Sequence, residues 1–200
     1  MNEGHRQHSV LGTSCLMLQF FLLSLSLSLS LSRSHAITLT TRSTIRGVAT
    51  RELQDFLATP THWPLIVASS HSVESTTAKN AMTAMNPVDK PLVVGEQVRE
   101  IFGLPPILPL SVDWTCRRND DNGLDFDAPE GLASVAINCS MRFQFRSQGS
   151  DNTQVTLTIS FDPVSPVANA AIPILILDNE LALKVLLPLQ LSRRKGNRLS

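Results

Sequence analysis

Two hundred residues, 42% hydrophobic and 17% charged, suffice for one domain with a sizeable core and exclude a disordered chain. Seventeen basic residues balance 17 acidic ones, so bulk charge offers nothing to a polyanion, and nucleic acid is not an expected partner. Cys15, Cys116 and Cys139 are too few and too scattered for a disulfide framework or a zinc site. They leave room for one bridge at most, between Cys116 and Cys139.

Residues 1–36 read as a cleavable targeting leader. Arg6 and two histidines precede an apolar run from Cys15 to Leu31, and Ser34-His35-Ala36 then puts small residues at the two positions a signal peptidase reads. Serine at every second position leaves the run less apolar than a membrane anchor needs. Glu3 is the only acidic residue before Glu52, and Arg33, Arg42 and Arg46 lie among many Ser and Thr. Organelle transit peptides share that composition, so export and organelle import both stay open.

"ITLTTRSTIR", from Ile37, is β-branched and partly alternating, which predicts a first strand. Leu53, Phe56 and Leu57 then recur at helical spacing until Pro60 and Pro64 break the segment into two small helical pieces. "VASSHSVEST" returns to strand character, and residues 77–91 read as a loop. In "LVVGEQVREIFG", Leu92, Val94, Val98 and Phe102 share a strand phase with Glu96 and Glu100, which puts Arg99 on the opposite, solvated side. "VDWTC" alternates Val112, Trp114 and Cys116 against polar neighbours, and Asn122-Gly123 suits a tight hairpin turn.

The next strands are the plainest in the chain. Val135, Ile137, Cys139, Met141, Phe143 and Phe145 alternate with polar or small residues, as do Val155, Leu157, Ile159 and Phe161, and "RSQGSDN" joins the two runs as a hairpin loop. An antiparallel meander with one dry face needs a cover. The apolar stretch "PILILDNELALKVLLP", residues 173–188, is the only long helical candidate left to supply it.

Strand, two short helices, antiparallel meander and long C-terminal helix is an order that resembles the START-like superfamily, which includes polyketide cyclases, plant pathogenesis-related proteins and lipid-transfer domains. The wording agrees: "ELQDFLATPTHWPLIVASSHSV" is similar to the family's opening, with its D/T-P-x-x-W-P turn. "VGEQVREIFGLPPILPLSVDWTC" and "SPVANAAIPILILDNELALKVLLP" look like a plastid-associated plant and algal branch, polyketide cyclase/dehydrase and lipid-transport-like. The resemblance covers residues 37–191 and leaves 192–200 as a basic tail. It implies an α+β helix-grip fold, a curved antiparallel sheet wrapped around a long C-terminal helix with an internal hydrophobic cavity. It implies little about activity, because this architecture hosts carriers, receptors and enzymes alike.

Candidate site residues follow from phase. On a helical wheel centred on Asp178, Ala171, Ile174, Leu175, Leu181, Ala182 and Val185 fall within about 60°, while Glu180 and Lys184 form an i,i+4 pair on the other side. Asp178 therefore either faces the cavity, where a carboxylate is costly to bury, or caps a helix that begins at Asn179 once Pro173 has disturbed the segment. Glu100 is either a second cavity carboxylate or a strand-end group at its mouth. Trp114 is cavity wall or plain core, and Ile137, Met141 and Phe143 complete the expected ligand-binding set.

Signals of catalysis are thin. The chain has no G-x-S-x-G elbow, H-E-x-x-H, Walker loop or dinucleotide fingerprint, so neither a cofactor nor a metal is expected. Only His62 and His71 follow the leader, and there is no tyrosine. In "NDDNGLDFDAPE", Gly123 is out of register for an EF-hand, since Arg118 would take the first ligand position. The expected activity is binding or transport of a hydrophobic small molecule such as a lipid, isoprenoid or pigment-like compound. The alternatives are a cyclase or dehydratase using Asp178 or Glu100 as general acid or base, and a scaffold with a filled core. The basic tail suits transient contact with an anionic membrane surface.

Overall fold

The computed structural model describes residues 35–76, 89–104, 108–132, 134–149 and 151–198. The expected leader, apart from His35 and Ala36, and most of the expected 77–91 loop lie outside the described residues.

Seven antiparallel strands form one sheet: β1 (Ile37–Arg46), β2 (Ser70–Ser75), β3 (Gln97–Leu104), β4 (Leu108–Asp120), β5 (Gly123–Ala128), β6 (Ala136–Ser147) and β7 (Asn152–Pro163). Their spatial order is β1-β7-β6-β5-β4-β3-β2, so the first strand closes one edge against the last and hairpins build the rest. Between β1 and β2 lie α1 (Thr50–Ala58), a 3₁₀ turn (Pro60–His62) and α2 (Trp63–Ile66). Proline supplies no N–H to a continuing helix, so Pro60 and Pro64 keep these pieces short.

Alternation sets the sheet's faces. Ile45 on β1, Val112, Trp114 and Cys116 on β4, Leu124 and Phe126 on β5, and Val155, Leu157 and Phe161 on β7 are buried on one face. The hairpin between β4 and β5 is offset by one residue from the expected turn. Asp120 pairs with Gly123, so the two-residue loop is Asp121-Asn122, and the Asp120 carboxylate accepts the Asn122 N–H at 2.8 Å. Gly123 has φ +149°, and a Cβ there would sit 2.4 Å from the Phe143 carbonyl oxygen.

On β6 the expected alternation holds only in part. Asn138 takes φ +52° at a bulge between Ile137 and Ser140, and its N–H donates to the Pro129 carbonyl instead of to the neighbouring strand. The bulge inverts the phase before it. Ala136 points inward and Ile137 is 39% exposed, whereas Cys139 and Phe143 beyond it are buried as expected. Cys116 and Cys139 are both buried and free. Cys116 pairs with Phe126 and Cys139 with Ala128, so all of β5 lies between them, about 9.5 Å of sheet where a disulfide tolerates less than about 7 Å.

The cover is one long helical run: α3 (Pro166–Leu181), a wide π turn (Ala182–Leu186) and α4 (Leu187–Arg198). Pro173 is exposed inside α3 and does not end it. Nine α-helical residues would set Leu187 about 180° from Asp178, on the opposite face; the extra residue of the π turn takes back about 90° and lets both face the sheet. The same shift leaves Val185, expected inside, 52% exposed; Ile174, also expected inside, is 54% exposed within α3, ahead of the π turn.

Residues 192–198 of the expected basic tail are helical, and two of them dock. Arg194 donates to His62 Nε2 and lies 4.9 Å above the Phe56 ring, while Lys195 donates to the Gly47 carbonyl. His62 Nδ1 bonds the Phe56 carbonyl at 2.8 Å, and its ring stacks on Phe56 at 4.3 Å. Burial, with the Arg194 charge adding to it, holds the His62 pKa below its usual value against the opposing Phe56 carbonyl bond.

Candidate functional site

Beneath α3 the interior is not filled. A half-enclosed cavity of about 130 Å³ lies between the sheet and the helices, with Leu57 and Trp63 on one side, Met141, Phe143 and Ile159 on the sheet, and Leu175 above. A filled scaffold is therefore not what this end of the molecule presents. Met141, Phe143 and Trp114 line the cavity as expected; Ile137, turned outward by the Asn138 bulge, does not.

The polar side chains in this lining are few. β3 carries Val98 and Glu100 inward at 0% and 8% exposure, while Arg99 points out and forms a two-pronged pair with Asp113 at 2.7 Å on each arm. The predicted phase of Glu100 thus holds, although its upstream part does not. Val94 is 62% exposed and lies before the strand, where Gly95 takes φ +92°, and Glu96 accepts from the Val93 N–H and Lys90 at this turn.

Strand register brings Trp114 within reach of Glu100. Val98 pairs with Trp114 and Glu100 with Val112, so Glu100 and Trp114 are diagonal neighbours on the inner face, and the indole N–H donates to Glu100 Oε2 at 2.9 Å. Ser70 Oγ is buried beside the carboxyl without a well-formed hydrogen bond of its own. Burial raises the Glu100 pKa. The negative charge of Asp178 adds to that rise, and the Ser70 hydroxyl and Trp114 N–H oppose it.

Asp178 answers the helical-wheel question. α3 runs unbroken through it, so it is not an N-cap; it lines the cavity and accepts hydrogen bonds from the Ala68 N–H at 2.9 Å and from the Ser69 hydroxyl. It thereby fastens the helix to the turn before β2. Glu180 and Lys184 form the expected ion pair away from the cavity.

Sequence reasoning missed Ser69, Asn179 and Trp63 as lining residues. Trp63 was legible as an aromatic before a proline, but its role depends on the fold: its indole donates to the Leu57 carbonyl at 2.8 Å and its ring meets Phe126 edge-on at 5.2 Å. Nothing local marks Ser69 or Asn179.

No protein-family model matches the chain, and comparison with curated proteins finds no match. Solved structures match by fold. The Zhui aromatase/cyclase from Streptomyces sp. R1128 aligns over 80% of this chain and 96% of its own, with 12% identity and a TM-score of 0.61. Ara h 8.0201 aligns over 79% of this chain and 99% of its own, with 12% identity and a TM-score of 0.54. A truncated norcoclaurine synthase from Thalictrum flavum aligns over 72% and 85%, with 9% identity and a TM-score of 0.50.

Proposed function

We propose that this chain, START-like and helix-grip by fold, binds a compact hydrophobic molecule in the cavity between its sheet and α3. The observation that carries the reading is an apolar hollow with a single deeply buried carboxylate, Glu100, bonded to Trp114 in its wall. Apolar walls supply affinity at about 25 cal/mol for each Å² removed from water, and a few placed polar groups set orientation. Size narrows the ligand class: an apolar cavity of about 150 Å³ holds one benzene-sized ring, so a ring of that size fits the space present. A larger lipid, isoprenoid or pigment-like ligand exceeds this space, and extends through the open side of the cavity or displaces α3 against the hydrogen bonds of Asp178 to Ala68 and Ser69.

Native mass spectrometry of the protein purified from its source tests this reading. A retained small hydrophobic molecule supports it. Protein that carries none, and whose tryptophan fluorescence does not respond to single-ring apolar probes, overturns it.

One observation favours a second reading, proton-transfer catalysis of the cyclase or dehydratase type: Glu100 has its pKa raised and shares the cavity with Asp178. If the protein is an enzyme, Glu100→Gln retains the molecule but no longer converts it. Equal conversion by the variant removes Glu100 from that role.

A further inference from the structure

The charges around the cavity point one way. Glu100 and Asp178 are the ionisable carboxyl groups in the lining, and no Lys, Arg or His is present among the described residues that line it. Neither carboxylate takes part in an ion pair among the described residues. Glu100, at 8% exposure, has a neutral indole and a hydroxyl for neighbours, and a buried carboxylate without a cation is costly until something supplies a proton or a positive charge. Trp63, Phe102, Trp114, Phe143 and Phe161 line the same space, and aromatic faces attract cations.

The geometry points to a ligand that is a ring-sized molecule bearing a protonated amine, its ammonium group set between Glu100 and Asp178 and its ring against the aromatic wall. The inference deepens the binding function proposed above and rests on it. An anionic amphiphile such as a fatty acid meets two carboxyl groups and no cation among the described lining residues, and is disfavoured. A neutral ring gains from the apolar wall alone.

Three single-ring probes of similar size separate these cases: benzylamine, benzyl alcohol and benzoate, titrated into the full chain by calorimetry at neutral pH. Benzylamine is expected to bind at least about tenfold more tightly than benzyl alcohol, with benzoate weakest. Glu100→Gln and, independently, Asp178→Asn are each expected to shrink the amine's advantage, so the test survives if one variant fails to fold. Benzyl alcohol or benzoate binding as tightly as benzylamine overturns the inference and leaves the cavity reading standing. Binding of none of the three overturns both.

Discussion

The interior has two ends that share one sheet and differ in what fills them. At one end, Leu53 of α1 and Leu187 and Leu191 of α4 meet Ile45, Val48 and Val155, all at most 2% exposed. At the other, Leu132, Met141, Ile159 and Leu175 are only partly buried and surround the cavity. The strands alternate similarly at both ends, so the sheet does not explain the difference. The helices differ: α1 and α4 send leucines inward, while α3 and the π turn place Asp178, Asn179 and Ala182 over the cavity beside Leu175 and Leu183.

The sharpest way to break this comparison is to truncate one leucine at each end. Leu53→Ala, at a fully buried site, should cost about 2–5 kcal/mol in urea unfolding, whereas Leu175→Ala beside an existing hollow should cost about 1 kcal/mol or less. Equal losses would show that the two ends are packed alike. Next in size is Asp178→Ala, which removes the acceptor for the Ala68 N–H and Ser69 hydroxyl and should lower stability by about 1–2 kcal/mol. Asp178→Asn keeps one acceptor oxygen and should lose less. Faster hydrogen exchange at Ala68 in the alanine variant would locate the loss.

A pH profile sharpens the comparison at the hollow end. Because the folded Glu100 pKa lies above its unfolded value, the folded state holds the proton more tightly, and this contribution is fully present below the unfolded value of 4.5. It is lost as pH rises through the folded pKa. Glu100→Gln should remove that part of the slope and, at neutral pH, leave stability level or slightly raised; an unchanged slope between wild type and variant would mean that Glu100 is not desolvated. The smallest effect belongs to Ile137→Thr, within about 0.5 kcal/mol, since the bulge has already turned that side chain to solvent. A loss of 2 kcal/mol or more on denaturation would place Ile137 back in the core.

Local pattern made much of this legible. Period-two alternation gave the strands and the inward phase of Glu100 and Trp114, because a strand's side chains are fixed by counting. Counting fails wherever a residue is added. The Asn138 bulge depends on the Pro129 carbonyl and on a close approach of Gly131 to Ala136, which are distant or backbone effects that no wheel or alternation contains. The π turn did the same to the helix, so a wheel of constant 100° steps placed Val185 inward. It placed Asp178 correctly but also turned Ile174 inward, which is 54% exposed within α3. The docking of Arg194 on His62 and Phe56 joins positions more than 130 apart and is invisible to composition, which sees only a basic run.

The two buried thiols carry a consequence for where such a domain can assemble. Burial pushes the Cys116 and Cys139 pKa values up to about 11, so both stay protonated near neutrality and make poor nucleophiles toward oxidants or other disulfides. With β5 standing between them, the described fold draws no strength from a covalent fastening. Its stability is then independent of ambient redox potential: an oxidising lumen and a glutathione-reduced stroma or cytosol are equivalent folding environments for it.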